Sequence, residues 1–530
     1  MFKNANKPLM VVAIAILAAL SILMAAFPDQ SAALIADTYN FMTQELSGFF
    51  LVLGILAFAG TLFVVFTKYG DIKLGGADAK PHYSTFKWVA MVLCSALAAG
   101  ILILGATEWM YYVQTPPFGI EPYTLDSYHY ASAYGMFHWG FSAWSFYLIP
   151  ALAIGYMYWN KKVGSIRISD SCLGVLDKNK PSHKAAMWVI DGVVALCYVG
   201  SLLTTIALGT PVMAELISAL IGIPNSFNLQ IGVIVLFCLF IILSVSRTIA
   251  KGMAVISDFN VKLAIAFLLF MLITGPTFFI LNNFVMAIGT NIQDFWRMSF
   301  YTDSIAQTGF IQGWTVFYWS WYVGLTLLTG VWNARVSYGR SFREIAIVNG
   351  FWAPLACWVS FGILGNYGMG LELNKGIMLS ETLSTSGQNG AILEMLRTLP
   401  LPTVSIIVFV VLIFFNLATT VTASGTSLAM LTSQGLKEEE EPNKWYKVFW
   451  SFLFLVIPVS ILILEKNVPG LNVLNTIKSM TTVVAMPVIP VLVVLLWSFF
   501  KVLRKDIRNG DILKAVPQNK HRKWFIKDES

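Results

Sequence analysis

Residues 8–27 have the sequence PLMVVAIAILAALSILMAAF, twenty consecutive residues without a charged side chain. An apolar stretch of about 18 residues or more is long enough to cross the hydrocarbon core of a bilayer as a helix. No convincing signal-peptide cleavage site follows it, and further apolar runs come after it. We therefore interpret the stretch as a membrane helix that is retained.

The composition of the whole chain agrees with this interpretation. The 530 residues are 57% hydrophobic and only 12% charged, whereas a soluble globular chain carries about 25% charged residues. This composition excludes a cytosolic enzyme, a disordered protein and a nucleic-acid-binding protein. The net charge of +7 is attributed to Lys and Arg in cytoplasmic loops rather than to a nucleic-acid partner.

Hydropathy predicts an all-α polytopic membrane protein with twelve spans, surrounded by membrane lipid. The spans are 8–27, 48–67, 86–112, 130–158, 185–209, 229–249, 260–281, 312–333, 346–367, 402–433, 446–464 and 480–502. Lys and Arg concentrate in the loops after the even-numbered spans and in both tails. The positive-inside rule therefore predicts a multi-pass protein of the plasma (inner) membrane with both termini in the cytoplasm.

Cysteine and histidine are too few and too scattered for metal or haem chemistry. The five cysteines show no paired or metal-ligand spacing and are interpreted as inert packing residues: Cys94, Cys172, Cys197, Cys238 and Cys357. Of the five histidines, only His138 lies deep in an apolar segment. A membrane-embedded metal or haem enzyme normally needs several such ligands. We expect no enzymatic activity, no structural metal and no organic cofactor.

Aromatic residues concentrate in spans three, four and eight. Residues 313–322 are GWTVFYWSWY, six aromatic residues in ten. Trp314, Tyr318 and Trp321 recur at helical spacing and are predicted to share one face. Interfacial anchoring explains tryptophans near span edges, but it explains Trp144 and Trp321 badly because each lies nearer the middle of its span. Ordinary helix packing remains the alternative interpretation.

A cage for a methylated onium cation is the functional hypothesis for these aromatic residues. A quaternary ammonium has no N–H to donate. A carboxylate therefore attracts it by charge but cannot orient it through a hydrogen bond. A desolvated aromatic face contributes about 2 kcal/mol or more, so three or four rings can hold the cation without a buried carboxylate. Span eight contains no acidic residue, which favours a cage over an ion-pair site.

Several motifs together resemble a known family. Residues 314–321, followed by ARVSYGR at 334–340 and by Arg343-Glu344, resemble the signature of the betaine/carnitine/choline transporter family. The similarity extends to 105–108 (GATE) and to 137–139 (FHW), and it covers most of residues 8–505. Residues 115–122 (TPPFGIEP) with 300–303 (FYTD) are most similar to the carnitine/γ-butyrobetaine exchanger branch.

The resemblance implies a LeuT-type fold of two inverted five-helix repeats preceded by two extra helices, a homotrimer, and alternating access. The expected divisions are an N-terminal tail with two peripheral helices at 1–84, the first repeat at 85–283, an amphipathic connecting segment at 284–311, the second repeat at 312–503, and a cytoplasmic tail at 504–530.

The resemblance also implies roles for individual aromatic residues. Tyr111, Trp139, Trp144 and Trp321 correspond to the family's central aromatic box. Tyr147 and Tyr322 would flank this box, and Trp314 would lie on the outer access path. We add Trp319 to the predicted substrate-binding residues because it lies near the middle of its span.

Three departures from the family pattern change the predicted pocket. Tyr322 stands where the family usually has a second tryptophan, Leu325 replaces an aromatic residue, and Thr329 replaces a methionine of the carnitine branch. These residues predict a smaller and more polar pocket, with a hydroxyl donor from Tyr322. The predicted solute is of the betaine, carnitine, choline or trimethylamine N-oxide type, and such a pocket suits betaine or trimethylamine N-oxide at least as well as carnitine.

The resemblance leaves two coupling mechanisms open. Sodium-driven members bring glycines and a methionine to span three, where this chain has ALAAG at 96–100. They supply hydroxyl oxygens to Na⁺ from spans five and ten. The corresponding positions here are Tyr198, Leu202, Thr420 and Val421, and only Thr420 is a conventional hydroxyl ligand.

In the sodium-independent exchangers a buried arginine replaces the cation. The corresponding residue here is Asn260, and Lys262 is the nearby cation that could act instead. An i,i+4 ion pair between Lys262 and Asp258 is the structural alternative. We favour sodium-independent exchange over sodium-coupled symport of the same or a related amine or amino-acid solute.

The remaining charges in or near the spans have both structural and functional interpretations. Glu108, Asp191 and Glu215 lie in or beside apolar runs, where charge is costly and often functional. A structural hydrogen-bonded carboxylate is the alternative for Glu108. Arg335 and Arg340 are predicted to gate or anchor the cytoplasmic end of span eight.

Overall fold

The computed structural model describes residues 5–94, 99–246, 250–433, 442–468 and 473–524. Within these ranges the only regular elements are helices, and the two β-type contacts are isolated bridges between Ala5 and Ser433 and between Lys73 and Ser341. The prediction of an all-α protein is confirmed. Residues 96–98 of the span-three motif and residues 247–249, which end the predicted span six, lie outside the described residues.

The first part of the chain contains twelve α-helices and the second part nine, within the described ranges. The first twelve are α1 (Lys7–Ala26), α2 (Pro28–Glu45), α3 (Ser47–Phe66), α4 (Thr85–Cys94), α5 (Ala99–Gln114), α6 (Leu125–His138), α7 (Phe141–Gly155), α8 (Ile168–Ser171), α9 (Pro181–Ile221), α10 (Phe227–Ser246), α11 (Ala250–Thr274) and α12 (Thr277–Gln293). The others are α13 (Phe295–Phe300), α14 (Phe317–Val336), α15 (Phe342–Ile347), α16 (Ala353–Lys375), α17 (Leu379–Arg397), α18 (Pro402–Leu431), α19 (Lys444–Asn467), α20 (Val473–Ala485) and α21 (Val488–Arg508).

All twelve predicted spans fall on helical segments where the chain is described. Nine helical stretches in the described ranges are long and apolar enough to cross a membrane. The other three predicted spans fall on α4 with α5, on α10, whose apolar part is Phe227–Leu243, and on α14. Asn333, Arg335 and the hydroxyl side chains of α14 lower its mean hydropathy, although the segment is helical. The chain is a multi-pass membrane protein.

Local signals in the sequence explain several helix ends. The Asn6 side chain accepts a hydrogen bond from the Leu9 amide at 3.2 Å and begins α1. Ser341 and Glu344 form a reciprocal capping box that begins α15. Gly222 and Gly376 adopt left-handed conformations, with φ of 73° and 69°, and end α9 and α16.

The connecting segments meet at two opposite ends of the helices. On the tail side, which carries Ala5 and residues 509–524, the Lys73 amide donates to the Ala515 carbonyl at 2.7 Å and the Leu74 amide to the Arg340 carbonyl at 3.0 Å. On the opposite side, Gln114 donates to the Ser380 carbonyl at 2.7 Å. The division into two repeats stays a prediction.

The predicted span four, 130–158, is not one continuous helix. Helix α6 ends at His138 and α7 begins at Phe141, with Gly140 in an extended conformation at φ −97° and ψ −150°. A Cβ atom at Gly140 would lie 2.8 Å from the Met136 carbonyl oxygen, so this close approach requires glycine. Trp139 therefore lies at a break in the helix, which hydropathy alone does not reveal.

Buried cysteines fit the prediction of inert packing residues. Cys172, Cys197 and Cys357 are buried free thiols, and Cys238 is a partly buried one. Burial raises the pKa of the Cys172 thiol, which follows α8, to about 12. At neutral pH this thiol is therefore protonated and a poor nucleophile.

Candidate functional site

Trp139, at the break between α6 and α7, is surrounded by four aromatic rings. Its ring centroid lies 5.8 Å from those of Tyr318 and Trp321, 6.2 Å from that of Tyr322 and 5.5 Å from that of Phe361. The Trp321 and Tyr322 rings are nearly perpendicular to it, at 90° and 85°. The Trp139 indole N–H donates to the Tyr318 hydroxyl at 3.2 Å, which fixes the ring within the cluster.

A second group of rings continues this cluster along α7. Tyr147 lies 5.7 Å from Tyr322, and Trp144 lies 5.7 Å from Tyr147. All three side chains are buried. Trp144 is therefore connected to Trp139 through two tyrosine rings rather than by direct contact.

Tyr111 and Trp314 extend the cluster towards the opposite side. Trp314 lies in a π-helical turn, Ile311–Val316, that precedes α14, and its ring is 5.4 Å from Tyr111 and 6.4 Å from Tyr318. The Tyr111 hydroxyl donates to Gln388 at 3.4 Å. We call this set the aromatic column; it contains Tyr111, Trp314, Tyr318, Trp139, Trp321, Tyr322, Tyr147 and Trp144.

Trp319 packs mainly against a different set of residues. Its ring lies 5.6 Å from Phe137 and 5.8 Å from Phe146. A Cβ atom at Gly54 of α3 would lie 2.8 Å from the Trp319 indole nitrogen. Trp319 thus fills the contact between α3 and α14, although it also lies 6.2 Å from Tyr322. Its predicted part in substrate binding stays a prediction.

A hydrogen-bonded network of polar side chains lies beside the aromatic column. Glu108, only 1% exposed, accepts a hydrogen bond from the Tyr112 hydroxyl. That hydroxyl also contacts His138 Nδ1 at 2.8 Å, and His138 Nε2 contacts the Thr315 hydroxyl at 2.9 Å. The network joins α5, α6 and the turn before α14. It agrees with the structural interpretation of Glu108.

Lys478 on α20 is a buried charge that the hydropathy pattern did not single out. Its side chain is 4% exposed, and its ammonium lies 3.7 Å from the centroid of the Trp314 ring and 5.5 Å from that of Phe317. Among the described residues it has no ion pair within 4 Å. The predicted span twelve begins at residue 480, because polar residues precede it. The sequence signal that could have revealed this buried charge is a single lysine two residues before an apolar run.

The predicted coupling residues do not join the aromatic column. Lys262 is 72% exposed and forms an ion pair with Asp258 at 2.5 Å, as the structural alternative predicts. Asn260 is buried on α11, and no partner for its Oδ1 atom occurs in the described ranges. Thr420 lies partly buried on α18, which packs against α11.

Arg335, in the last turn of α14, and Arg340, which follows this helix, hold segments on the tail side together. Arg340 donates to Thr85 at 3.1 Å and to the Tyr83 carbonyl at 2.9 Å, and its guanidinium lies 4.5 Å from the Trp88 ring centroid. The Arg335 guanidinium contacts the Met430 sulfur at 2.8 Å, joining α14 to α18. These contacts agree with an anchoring role, and a gating role stays a prediction.

The other charges singled out in the sequence have local partners. Asp191 accepts hydrogen bonds from the amide and hydroxyl of Ser169, at 3.2 and 2.8 Å. Glu215 accepts one from Asn225 at 2.7 Å. In the part of the chain that the structure describes, no group of three or more His, Cys, Asp or Glu residues is placed to hold a metal ion.

Comparison with known proteins identifies the family. The family model described as betaine/carnitine/choline family transporter (BCCT) matches residues 8–508. The uncharacterized transporter YeaV of Escherichia coli K12 is 30% identical over 454 residues, which are 85% of this chain and 92% of YeaV. A carnitine transporter of Acinetobacter baumannii is 28% identical over 483 residues, 91% of this chain and 86% of that protein. These relatives are transporters, not enzymes, and the chain belongs to the betaine/carnitine/choline transporter family.

Proposed function

We propose that the aromatic column binds a small methylated onium solute, which the protein carries across the inner membrane by alternating access. Betaine, carnitine, choline and trimethylamine N-oxide define the solute class. The observation that carries the proposal is the set of buried rings around Trp139, with Trp321 and Tyr322 nearly perpendicular to it. Perpendicular faces offer negative quadrupole from different directions to one cation.

Entry of a solute requires the rings to separate. The Trp139, Trp321 and Tyr322 rings contact one another at 5.8 to 6.3 Å between centroids. The break at Trp139–Gly140 provides a point at which α6 and α7 move relative to each other, and broken helices are typical of transporter binding sites. Trp314, whose ring is 5.4 Å from that of Tyr111, is the proposed access-path residue on the opposite side.

Exchange of one solute for another, independent of sodium, is the proposed coupling, with Asn260, Lys262 and Thr420 as the residues to test. Sodium symport is a second candidate because side-chain hydroxyls of α9 contact hydroxyls of α18 and α20. Tyr198 contacts Ser424 at 2.8 Å, and Thr204 contacts Thr481. Such oxygens are the hard ligands that Na⁺ prefers.

The proposal includes a homotrimer with both termini in the cytoplasm, so that the tail side faces the cytoplasm. Lys73, Lys161, Arg340 and Arg343 lie in segments of that side, in agreement with the positive-inside rule. Arg335 and Arg340 then belong to the cytoplasmic gate.

Binding of labelled onium solutes to the purified protein tests the proposed site. Trp144→Leu and Trp321→Leu remove one ring each from the aromatic column, and we expect each to abolish detectable binding. Trp497→Leu is the matched control, because Trp497 on α21 is 63% exposed and is not part of the column. Isothermal titration with betaine, carnitine, choline and trimethylamine N-oxide measures the affinities.

The result against the proposal is equally clear. If both column variants bind these solutes as the Trp497→Leu protein does, the rings are packing residues and the site lies elsewhere. Monodisperse elution of each variant in detergent separates a loss of the site from a loss of the fold.

A further inference from the structure

Lys478 is a buried cation in direct contact with the aromatic column. Its ammonium is stacked on Trp314, 3.7 Å from the ring centroid, and a Cβ atom at Gly313 would lie 3.9 Å from its nitrogen. Helix α20 brings it there by packing against α14 and α9. The Ser320 hydroxyl donates to Thr482 at 2.9 Å and fixes the register of α20 against α14.

The ammonium lacks the partners that a buried charge needs. A lysine ammonium has three N–H donors and no acceptor. Trp314 and Phe317 offer it ring faces, but in the described ranges no hydrogen-bond acceptor and no carboxylate contacts it. Glu108 is near enough for a Coulombic interaction but forms no ion pair with it within 4 Å. An anionic ligand group would supply the acceptors that the described residues do not give to this ammonium.

We propose that Lys478 binds the carboxylate of a zwitterionic onium solute and thereby selects such solutes over choline. This inference rests on the proposed function of the aromatic column. The trimethylammonium group lies among Trp139, Trp321 and Tyr322, and the carboxylate lies at the Lys478 ammonium beside Trp314. Choline carries a hydroxyl in place of the carboxylate and gains nothing from Lys478.

The spacing along α14 favours a solute with a long arm between its charges. Lys478 lies over Trp314 and Phe317, and Trp321 is four residues beyond Phe317. Four residues correspond to about 6 Å along a helix. The carboxylate of carnitine or γ-butyrobetaine lies farther from its nitrogen than that of betaine, so these solutes span the two positions better. The site of Lys478 thus reverses the preference for compact solutes that the smaller pocket alone suggests.

A thermodynamic cycle between protein and ligand tests this assignment. The protein change is Lys478→Met, which keeps an unbranched apolar stem and removes the charge. The ligand change is γ-butyrobetaine to its methyl ester, which keeps the trimethylammonium group and removes the carboxylate charge. Isothermal titration gives the dissociation constants of the four combinations at one pH and ionic strength.

We expect the wild-type protein to bind γ-butyrobetaine at least about tenfold more tightly than the ester, since a hydrogen bond to a charged group contributes about 1.5 kcal/mol or more. In Lys478→Met this ratio falls to near one, while choline binds as before or more tightly. Lys478→Arg keeps a cation and restores part of the ratio. Non-additivity in the cycle is the signature of a direct contact.

Two results overturn the inference, and they are distinguishable from each other. If Lys478→Met weakens the binding of all onium solutes by the same factor, Lys478 stabilises the fold or the Glu108 carboxyl and does not contact the solute carboxylate. If the wild-type protein binds none of these solutes, the proposed function fails and the inference falls with it. Trp497→Leu serves again as the variant that leaves every affinity unchanged.

Discussion

Tyr112 supports two buried polar side chains at once. Its hydroxyl donates to the Glu108 carboxylate and contacts His138 Nδ1 at 2.8 Å. Removing a donor from a buried acceptor costs the desolvation of that acceptor, and the hydrogen bonds that are present link α5 to α6. At the scale of single residues, the polar groups beside the aromatic column are therefore held by specific contacts.

Tyr112→Phe tests this network. The change keeps the ring against Trp314, 5.0 Å away, but removes the hydroxyl that donates to Glu108 and contacts His138. We expect a loss of about 1–3 kcal/mol of stability, seen as a lower unfolding temperature of the purified protein in detergent. Tyr83→Phe is the matched control, because Tyr83 is an exposed residue on the tail side. Equal unfolding temperatures for the two variants would show that the network does not stabilise the fold.

The sequence allowed us to group the aromatic residues of α14 but not to recognise the buried charge of Lys478. Helical spacing grouped Trp314, Tyr318 and Trp321, and their rings do lie next to one another, at 6.4 and 6.0 Å. Lys478 escaped notice because a hydropathy window penalises a charge and so begins the span after it. Hydropathy records how a segment partitions on average, not which neighbour a single buried charge has.

At the scale of elements, the break between α6 and α7 determines where Trp139 points. An unbroken helix from 130 to 158 would keep Trp139 in register with the rest of span four. Instead, Gly140 turns the backbone so that Trp139 meets residues of α14 and α16. The break depends on one residue without a side chain, since any Cβ there meets the Met136 carbonyl.

Gly140→Ala is expected to weaken onium binding at least about tenfold. The added methyl group would lie 2.8 Å from a backbone oxygen, so the backbone must shift and carry Trp139 with it, at a cost of about 1–3 kcal/mol. Gly232→Ala on α10 is the control, because no atom lies within 4 Å of the position that its added methyl group would take. Titration of both variants with carnitine measures the difference. Unchanged affinity in Gly140→Ala would mean that the break does not position Trp139.

The location of the helices was predictable and the break was not. Apolar runs alone indicated the helices, because a bilayer requires every span to satisfy its own backbone. The predicted span continues through His138, Trp139 and Gly140 because apolar residues on both sides outweigh these three in a hydropathy window. A glycine beside a tryptophan was a weak local signal, since glycine is common in membrane helices for other reasons.

At the scale of the whole molecule, the family match over residues 8–508 includes all twelve predicted spans and the aromatic column. Composition already indicated a polytopic membrane protein, since 12% charged residues leave little polar surface. The residues themselves show no trace of an inverted repeat, so the division into two repeats stays a prediction from the family resemblance. Coupling likewise depends on where a few oxygens and charges meet, not on composition.

Uptake into liposomes that contain the purified protein tests whether the aromatic column transports a methylated onium solute. Labelled betaine, carnitine, choline and trimethylamine N-oxide are supplied outside, with and without a sodium gradient, and with and without unlabelled solute inside. We expect at least one zwitterionic onium solute to accumulate when the liposomes are preloaded, with or without a sodium gradient, and we expect Trp321→Leu to abolish this uptake. Uptake driven by a sodium gradient alone would show that the protein is a sodium symporter and not an exchanger. If none of these solutes enters under any of the conditions, the claim that the aromatic column transports a methylated onium solute is wrong.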